Sequence, residues 1–252
     1  MFGLQNIRAF FSNTFELIVE MIKLTWLGHA SWLITVGDSN ILVDPFLNES
    51  PTAPMKAAEV DADFILVSHG HFDHVADVAE IANRTDANVI AVYEVANWFA
   101  EKHSVKNTTG MNIGGNFELP MGNVKMTQAI HSSQLPDGSY GGVASGFVVT
   151  IGSGDAAKKI YFACDTALFS DMKLIGEENV DVAVLPIGDL FTMGPEDSVT
   201  AAKFVGAKQV LPSHYNTWPP IEQDAAKWAQ LMREGSSAEP IVLKPGEVHE
   251  IL

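Results

Sequence analysis

A short apolar run that ends in a cluster of histidines restricts the fold of this chain more than any other feature. The segment ILVSHGHFDHVAD spans residues 65–77 and holds His69, His71, Asp73 and His74 within six positions. An apolar run of this length before polar residues is typical of a buried β-strand. Burying several polar rings and a carboxylate without partners costs on the order of a few kcal/mol each, and metal coordination removes that cost. Imidazole and carboxylate groups suit zinc and neighbouring first-row metals, so the cluster predicts a metal site.

Most of the other histidines also stand where a predicted strand runs into a loop. In α/β sheets, ligands gather at strand ends, so this pattern predicts one site that several loops assemble. Asp44 and Asp165 occupy equivalent strand-end positions. His103 and His249 do not, and we interpret them as residues without a role in the site. The six strand-end histidines, among the eight of the chain, are His29, His69, His71, His74, His131 and His214.

The order of the predicted elements favours one α/β domain over residues 23–252. β-rich segments within residues 23–46 are followed by alternating strands and helices, with helices predicted around residues 74–83 and 93–103. The same order returns between residues 124 and 234. Alternation of strands and helices is typical of α/β folds. No linker rich in proline or serine divides the two halves, so the sequence predicts a single domain.

Residues 1–22 form a separate segment with its own pattern. Apolar residues recur there at helical spacing, which predicts an amphipathic helix that packs on the body of the protein or on another subunit of a homo-oligomer. Polar residues interrupt the run, so it predicts no membrane span and no signal peptide. Arg8 is its one basic residue, which weakens attachment to an anionic membrane surface. The apolar positions are Ile7, Phe11, Phe15, Ile18 and Ile22.

Charge and cysteine content restrict the partners and the compartment. The formal net charge is −16 and the pI is about 4.7, which argues against a sequence-independent nucleic-acid surface, since that requires clustered lysine and arginine. A metal site can still attract a phosphate locally. Cys164 is the single cysteine, so no disulfide can form within the chain. This cysteine usage is typical of a reducing compartment and predicts a cytoplasmic protein.

The motif His69-Gly70-His71-Phe72-Asp73-His74 resembles the H-x-H-x-D-H signature of the metallo-β-lactamase superfamily. Farther along the chain, His131, Asp165 and His214 each follow an apolar strand, in the order which that superfamily uses. The segments TWLGHAS, ILVDPF, LPIGDLFTMGPEDSV and LPSHYNTWP resemble more narrowly the uncharacterised metal-dependent hydrolases close to the ascorbate-6-phosphate lactonase group. The resemblance extends from about residue 24 to residue 242.

This resemblance implies an αββα sandwich with two metal ions at one edge of the paired sheets, Zn²⁺ as the first expectation and Mn²⁺ as the alternative. It implies that Asp165 bridges the two metals. Asp44 resembles the family's supporting aspartate, which orients the ligand loop; the alternative is a turn-capping residue before Pro45. The implied ligands are His69, His71 and His131 for the first metal, and Asp73, His74 and His214 for the second.

The activity implied is hydrolysis of a small ester, lactone or phosphoester by a metal-bridging hydroxide. Two cations lower the pKa of a shared water and polarise the C=O or P=O bond. The alternatives are β-lactamase-type amide hydrolysis, which Asp165 disfavours, and a non-catalytic metal-binding protein. A redox protein on the same fold usually has an acidic residue where His71 stands and a flavin domain. The sequence contains no G-x-S-x-G elbow and no P-loop.

The substrate pocket is less defined by the sequence. His29 lies between Gly28 and Ala30 at a turn and is our candidate for a catalytic or substrate-contacting residue, alongside Asp73, His74 and Asp165. The family usually has glycine where Cys164 stands, and we expect Cys164 to pack in the core by alternation along its strand. Further pocket candidates on the motif loops are Asp189, Phe191, Met193, Tyr215 and Trp218.

Overall fold

The computed structural model of the protein describes residues 21–252. The helix predicted for residues 1–22 therefore lies outside the described residues, except at its last two positions. Ile22, which the helical spacing included, belongs to a sheet instead, because it pairs with Val36 on one side and with Ile251 on the other.

The first sheet has seven strands in the order β14-β1-β2-β3-β4-β5-β6. The pairs of β1 with β14, β1 with β2, and β2 with β3 are antiparallel, whereas β3 to β6 pair in parallel. The strands are β1 Ile22–Trp26, β2 Trp32–Val36, β3 Ser39–Val43, β4 Phe64–Val67, β5 Asn88–Val92, β6 Thr108–Met111 and β14 Val248–Ile251.

The second sheet also has seven strands, in the order β13-β12-β11-β10-β9-β8-β7. It repeats the design of the first, because β7 to β10 pair antiparallel and β10 to β13 pair in parallel. The strands are β7 Asn116–Leu119, β8 Gly122–Gln128, β9 Ser145–Ile151, β10 Lys158–Phe162, β11 Val182–Pro186, β12 Gln209–Ser213 and β13 Glu239–Pro240.

Within residues 21–252, six α-helices accompany the sheets. They are α1 Phe72–Val75, α2 Val78–Thr85, α3 Tyr93–His103, α4 Met172–Gly176, α5 Pro195–Val205 and α6 Ala225–Gly235. The helix predicted over residues 74–83 is divided into α1 and α2, and α3 has the predicted bounds. In α2, Val78, Ile81 and Ala82 form the buried face, which is the spacing of an amphipathic helix. The side chain of Asp224 caps α6 by accepting from two backbone N–H groups.

The core lies between the two sheets and under the helices. All five residues of β11 are buried, which is typical of a parallel strand that is covered on both faces. Trp32 of the first sheet donates from Nε1 to Ser213 Oγ of the second at 3.0 Å and so joins the two layers. The architecture is the predicted αββα sandwich. In the described part of the chain, no helix has the length and apolar character needed to cross a membrane.

Candidate metal centre

One edge of the sandwich collects the strand ends that carry the predicted site residues. These residues follow β1, β3 and β4 of the first sheet and β8, β10 and β12 of the second. Four of the turns contain a non-glycine residue with φ between 44° and 53°, namely His29, Asp44, Cys164 and His214. A left-handed conformation costs an ordinary L-residue about 1–2 kcal/mol, and such strain is concentrated at functional sites. The surrounding structure therefore holds the backbone in sharp turns at this edge.

Three histidines form the first group of potential ligands. His69 Nε2 lies 2.8 Å from His71 Nδ1, and His131 Nε2 lies 3.2 Å from the same nitrogen. Burial and then the charge of His74 lower the pKa of His69 well below its ordinary value, and burial also lowers the pKa of His71 and of His131. The three rings are therefore neutral imidazoles near pH 7, which is the protonation state that binds a metal.

The second group contains Asp73, His74, His214 and His29. One ligand atom from each of these four residues lies within 4.8 Å of the others. Asp73 Oδ2 is 3.7 Å from His74 Nε2 and 3.7 Å from His214 Nε2. Burial opposes the charge on Asp73, but His74 and then His214 outweigh it and hold the pKa of this carboxyl well below its ordinary range. Asp73 is therefore a carboxylate, as a metal ligand must be.

Asp165 lies between the two groups. Its Oδ2 atom is 3.0 Å from His214 Nε2, 3.4 Å from His74 Nε2 and 3.6 Å from His131 Nε2. Burial raises the pKa of Asp165, but the charges of His214 and His74 outweigh burial and hold it well below the ordinary value. One carboxylate oxygen thus contacts both groups, which is the position that a bridging ligand requires.

Several buried atoms of the cluster have no hydrogen-bond partner among residues 21–252. They are His74 Nε2, both ring nitrogens of His214 and Asp165 Oδ1. An unpaired buried polar group costs about 1–3 kcal/mol, and more when it is charged, so native proteins rarely leave one without compensation. A divalent cation would satisfy the Nε2 atoms of His74 and His214, which both lie close to Asp165 Oδ2. The residues present therefore fit a metal centre.

Asp44 and Ser68 orient two of the histidines. Asp44 accepts from the backbone N–H and the Oγ of Ser68, at 2.8 and 2.6 Å, and from His74 Nδ1 at 2.9 Å. Because Ser68 Oγ donates to Asp44, it must accept from His69 Nδ1, which lies 2.9 Å away. Both histidines are thereby left with Nε2 facing the cluster. Asp44 has the supporting position that the resemblance implied, and Ser68, which directly precedes His69, is a contributor that the sequence analysis missed.

The side chain of His29 is buried too deeply to contact a substrate. Its side chain is fully buried, with Nδ1 2.7 Å from Thr217 Oγ1 and Nε2 2.9 Å from Asp73 Oδ2. Burial and the charge of His214 lower the pKa of His29 to about 4, so the ring is neutral at pH 7. A carboxylate only accepts, so Nε2–H donates to Asp73 and Nδ1 accepts from Thr217. This geometry favours a role in positioning Asp73 over the predicted substrate contact.

The other pocket candidates divide into buried and exposed residues. Met193 and Tyr215 are buried, and burial raises the pKa of Tyr215 to about 12. Trp218 is half-buried, with its ring centroid 5.0 Å from that of His29. Asp189 and Phe191 are exposed. Asp189, Phe191 and part of Trp218 are open to solvent, whereas the buried Tyr215 is not placed to act on a substrate.

Cys164 packs against the core, as expected, although for a different reason. Strand β10 ends at Phe162, so alternation along the strand does not extend to Cys164, and a left-handed turn with φ of 52° sets its position. This conformation explains the glycine that the family usually has here. Burial and then the charge of Asp44 raise the pKa of the thiol well above its ordinary value, so it stays protonated and is a poor metal ligand.

Metal binding should release protons from His74 and His214. Burial lowers the pKa of both rings, but Asp165 outweighs it, raising the pKa of His214 to about 9 and that of His74 well above 6.5. Both rings are therefore protonated at pH 7 without metal, and a cation must displace about two protons from them. Calorimetric titration with Zn²⁺ at pH 7 in two buffers of different ionisation enthalpy measures this number. Heats that do not depend on the buffer would contradict it.

The chain is similar in sequence to a known family and its members. The family model for the beta-lactamase superfamily domain matches residues 39–215. A UPF0173 metal-dependent hydrolase of Thermus thermophilus is 47% identical over 228 residues, which cover 90% of this chain and 98% of the relative. Another, of Listeria monocytogenes, is 47% identical over 234 residues, covering 91% of this chain and 100% of the relative.

A solved structure is also similar to this chain. Igni18, described as a novel metallo hydrolase from the archaeon Ignicoccus hospitalis, matches with a TM-score of 0.80 and 32% sequence identity. The match covers 92% of this chain and 99% of that chain. The relatives are named for metal-dependent hydrolysis, and the His/Asp cluster described above could bind metal. The chain therefore belongs to the beta-lactamase superfamily and is a metal-dependent hydrolase with the metallo-β-lactamase fold.

Proposed function

We propose that the protein hydrolyses a small ester, lactone or phosphoester at a centre of two divalent cations. The observation that carries this proposal is the position of Asp165 Oδ2, within 3.6 Å of a nitrogen from each of the two ligand groups. A single metal would leave one of these two groups of ligand atoms without a cation. Two metals pair both groups and explain why one carboxylate contacts both.

The ligands would divide between the cations as the resemblance implies, and Asp165 would serve both. The donor set is rich in imidazole and contains no thiolate, which favours Zn²⁺, with Mn²⁺ as the alternative because two carboxylates are present. His69, His71 and His131 would hold the first cation, and Asp73, His74 and His214 the second.

When bound, two such cations supply a water of lowered pKa and polarise the C=O or P=O bond of the substrate. The chain's own residues prepare for this. Asp73 and Asp165 stay ionised at pH 7, so their charges offset part of the positive charge of the cations. Asp44 holds the His74 ring through Nδ1, and His29 holds Asp73 through Nε2. The ligand atoms are therefore oriented before a metal or a substrate arrives, which limits the reorganisation that each binding step needs.

We also propose a cytoplasmic location and an amphipathic helix at residues 1–22. Cys164 is a free thiol and the single cysteine, which favours the reducing cytoplasm. The amphipathic helix of residues 1–22 stays a prediction, in which the helix packs on the body or on a second copy of the chain.

A screen of metal-loaded protein tests the activity directly. Purified protein reconstituted with Zn²⁺, and separately with Mn²⁺, is assayed with lactones, aryl esters, aryl phosphodiesters, thioesters and β-lactams. We expect turnover of at least one oxygen ester or lactone and none of the β-lactams. Turnover restricted to β-lactams would favour the amide-hydrolase alternative. Two bound metals without turnover of any compound would favour a non-catalytic metal-binding protein.

A further inference from the structure

The loops around the ligand cluster contain a single basic residue, Lys56. Seven segments form this edge, namely residues 27–31, 44–56, 68–77, 129–144, 164–171, 187–194 and 214–224, and the other 14 of the 15 basic residues of the chain lie outside them. Lys56 Nζ donates to the backbone carbonyl of Asn48 at 3.0 Å. Three acidic residues of these segments, Asp44, Asp73 and Asp165, belong to the centre itself. The seven others make the surrounding loops acidic; they are Glu49, Asp77, Asp137, Asp171, Asp189, Glu222 and Asp224.

Hydrogen bonds hold these loops against the ligand residues. The backbone N–H of Gly70, between His69 and His71, donates to Ser133 Oγ at 3.0 Å and so fixes the loop of residues 129–144. The loop of residues 187–194 is held at two points. Ile187 N donates to Ser213 O at 3.0 Å, and Met193 N donates to Thr166 O at 2.9 Å. Because Thr166 follows Asp165 and Ser213 precedes His214, both ends of this loop are anchored next to ligand residues.

Exposed apolar side chains are concentrated on the same loops. Phe72 lies between two ligand residues, Ile130 directly precedes His131, and Leu190 and Phe191 form the loop tip, with exposed fractions of 65% and 54% for the last two. Exposed apolar groups that cluster around a polar centre are typical of a ligand-binding surface. Of the thirteen exposed large apolar residues in the described part of the chain, these loops carry six: Phe72, Ile130, Tyr140, Val143, Leu190 and Phe191.

The acidic residues and the scarcity of basic residues on these loops are unfavourable for an anionic substrate. Proteins usually hold phosphate and carboxylate groups of substrates with arginine or lysine. These loops have only Lys56, whose Nζ already donates to the backbone carbonyl of Asn48. Lys102 of α3 lines a groove beside Phe72, but that groove is also lined by Glu49, Asp77, Glu80 and Asp137. Two cations would attract an anion at short range, but an acidic surface lowers the concentration of anions at the entrance. An uncharged, apolar substrate meets no such barrier.

We propose that this apolar, acidic rim selects uncharged, apolar carboxylic esters or lactones over phosphoesters and other anions. The proposal rests on the hydrolase activity proposed above and narrows its substrate class. The acyl carbon gains a bond to the oxygen of water, its bond to the alkoxy oxygen breaks, and that oxygen receives a proton. The products are an alcohol and a carboxylic acid, which ionises. The apolar part of the substrate lies against Phe72, Leu190 and Phe191, and the acidic rim favours release of the carboxylate product.

Two esters of the same shape test the charge preference. The carboxamide in 3-carbamoylphenyl butyrate is neutral, and the carboxylate in 3-carboxyphenyl butyrate is negative at pH 7. We expect kcat/KM of the neutral ester to be at least about tenfold higher at low salt, and the ratio to fall as NaCl screens the rim. A higher kcat/KM for the anionic ester, or for an aryl phosphodiester than for either ester, would overturn the proposal.

Substitutions at the loop tip test which residues cause the preference. Leu190→Lys adds a cation to the rim and should raise kcat/KM of the anionic ester relative to the neutral one by several-fold. Leu252→Lys is the matched control. Leu252 is 84% exposed and follows Ile251, which pairs with Ile22 at the start of β1, whereas His29 follows the end of β1.

The length of the acyl chain tests the apolar contact. Each added methylene should raise kcat/KM by up to about fourfold, and Phe191→Ala should weaken this dependence on chain length.

The outcomes separate this proposal from the activity on which it rests. If the metal-loaded protein hydrolyses no ester, lactone or phosphoester, the proposed function fails and takes the narrower substrate class with it. If it hydrolyses esters with equal ratios in wild type and Leu190→Lys, the function stands and the role of the rim is wrong. An unchanged ratio in Leu252→Lys, together with a raised one in Leu190→Lys, supports the rim.

Discussion

Replacing Asp165 by asparagine should lower kcat/KM by at least about 10³-fold, which corresponds to about 4 kcal/mol of transition-state stabilisation. Asparagine has nearly the same size but no charge, and its amide nitrogen cannot bind a metal. The carboxylate oxygen that lies 3.0 Å from His214 and 3.6 Å from His131 contacts both ligand groups, so the substitution weakens both metal sites together. The measurement is steady-state kinetics with the best substrate from the screen, accompanied by elemental analysis of the variant.

Asp189→Asn is the matched control for this substitution. It removes the same charge from a loop at the same edge, but Asp189 is exposed and contacts neither ligand group within hydrogen-bonding distance in the described structure. We expect its kcat/KM for a neutral ester to stay within about threefold of the wild-type value, as is usual for a charge at the rim. Comparable losses in Asp165→Asn and Asp189→Asn would contradict the bridging role of Asp165.

Removing the metals with a chelator should abolish hydrolysis and lower the melting temperature by about 10 °C. A ligand that binds the folded state at about 1,000 times its dissociation constant contributes about 4 kcal/mol, and for a chain of this size each kcal/mol shifts the melting temperature by about 2–4 °C. The physical reason lies in the cluster, where His74, His214 and Asp165 have buried atoms without hydrogen-bond partners. Differential scanning calorimetry before and after dialysis against EDTA measures the change.

Adding Zn²⁺ or Mn²⁺ back to the chelated protein should restore both the melting temperature and the activity. Mg²⁺ is a suitable negative control, since it prefers oxygen ligands and the proposed centre is rich in imidazole. Hydrolysis that persists in chelated protein, with metal absent by elemental analysis, would show that the cluster does not carry the reaction.

The elements of the sequence with the strongest patterns were predicted well. The helix over residues 93–103 has the predicted bounds, since its apolar spacing and flanking strand are both clear. The strand before His69 was evident because β4 is apolar throughout and ends directly before the polar cluster. The strand ends at one edge bring together residues that are more than a hundred positions apart, such as Asp73 and His214, as strand order predicts for an α/β sandwich.

Other parts of the fold had no clear apolar pattern in the sequence. Strands β6, β7, β13 and β14 were not predicted, because they have two to four residues each and several of their side chains are exposed. Their positions follow from pairing with neighbours, as in β6 with β5. Ile22 was assigned to the helix since its apolar side chain fits both periodicities, and its pairing with Val36 and Ile251 decides for the strand.

The role of His29 could not be predicted from its local sequence. A histidine at a turn suggested an exposed substrate contact, but both ring nitrogens have partners that are distant in the chain. Asp73 is 44 positions away and Thr217 is 188 positions away. Such contacts depend on how the two sheets pack, which local periodicity does not report.

Anomalous diffraction from crystals of metal-loaded protein, recorded at the zinc absorption edge, tests the central claim most directly. The account predicts two anomalous peaks per chain with comparable occupancy. One lies among His69, His71 and His131, the other among Asp73, His74 and His214, and Asp165 contacts both. Peaks should be absent elsewhere in the chain, and elemental analysis of the same sample should give close to two metals per chain. A single peak at full zinc loading, or two peaks with Asp165 outside both coordination spheres, would contradict the proposed centre.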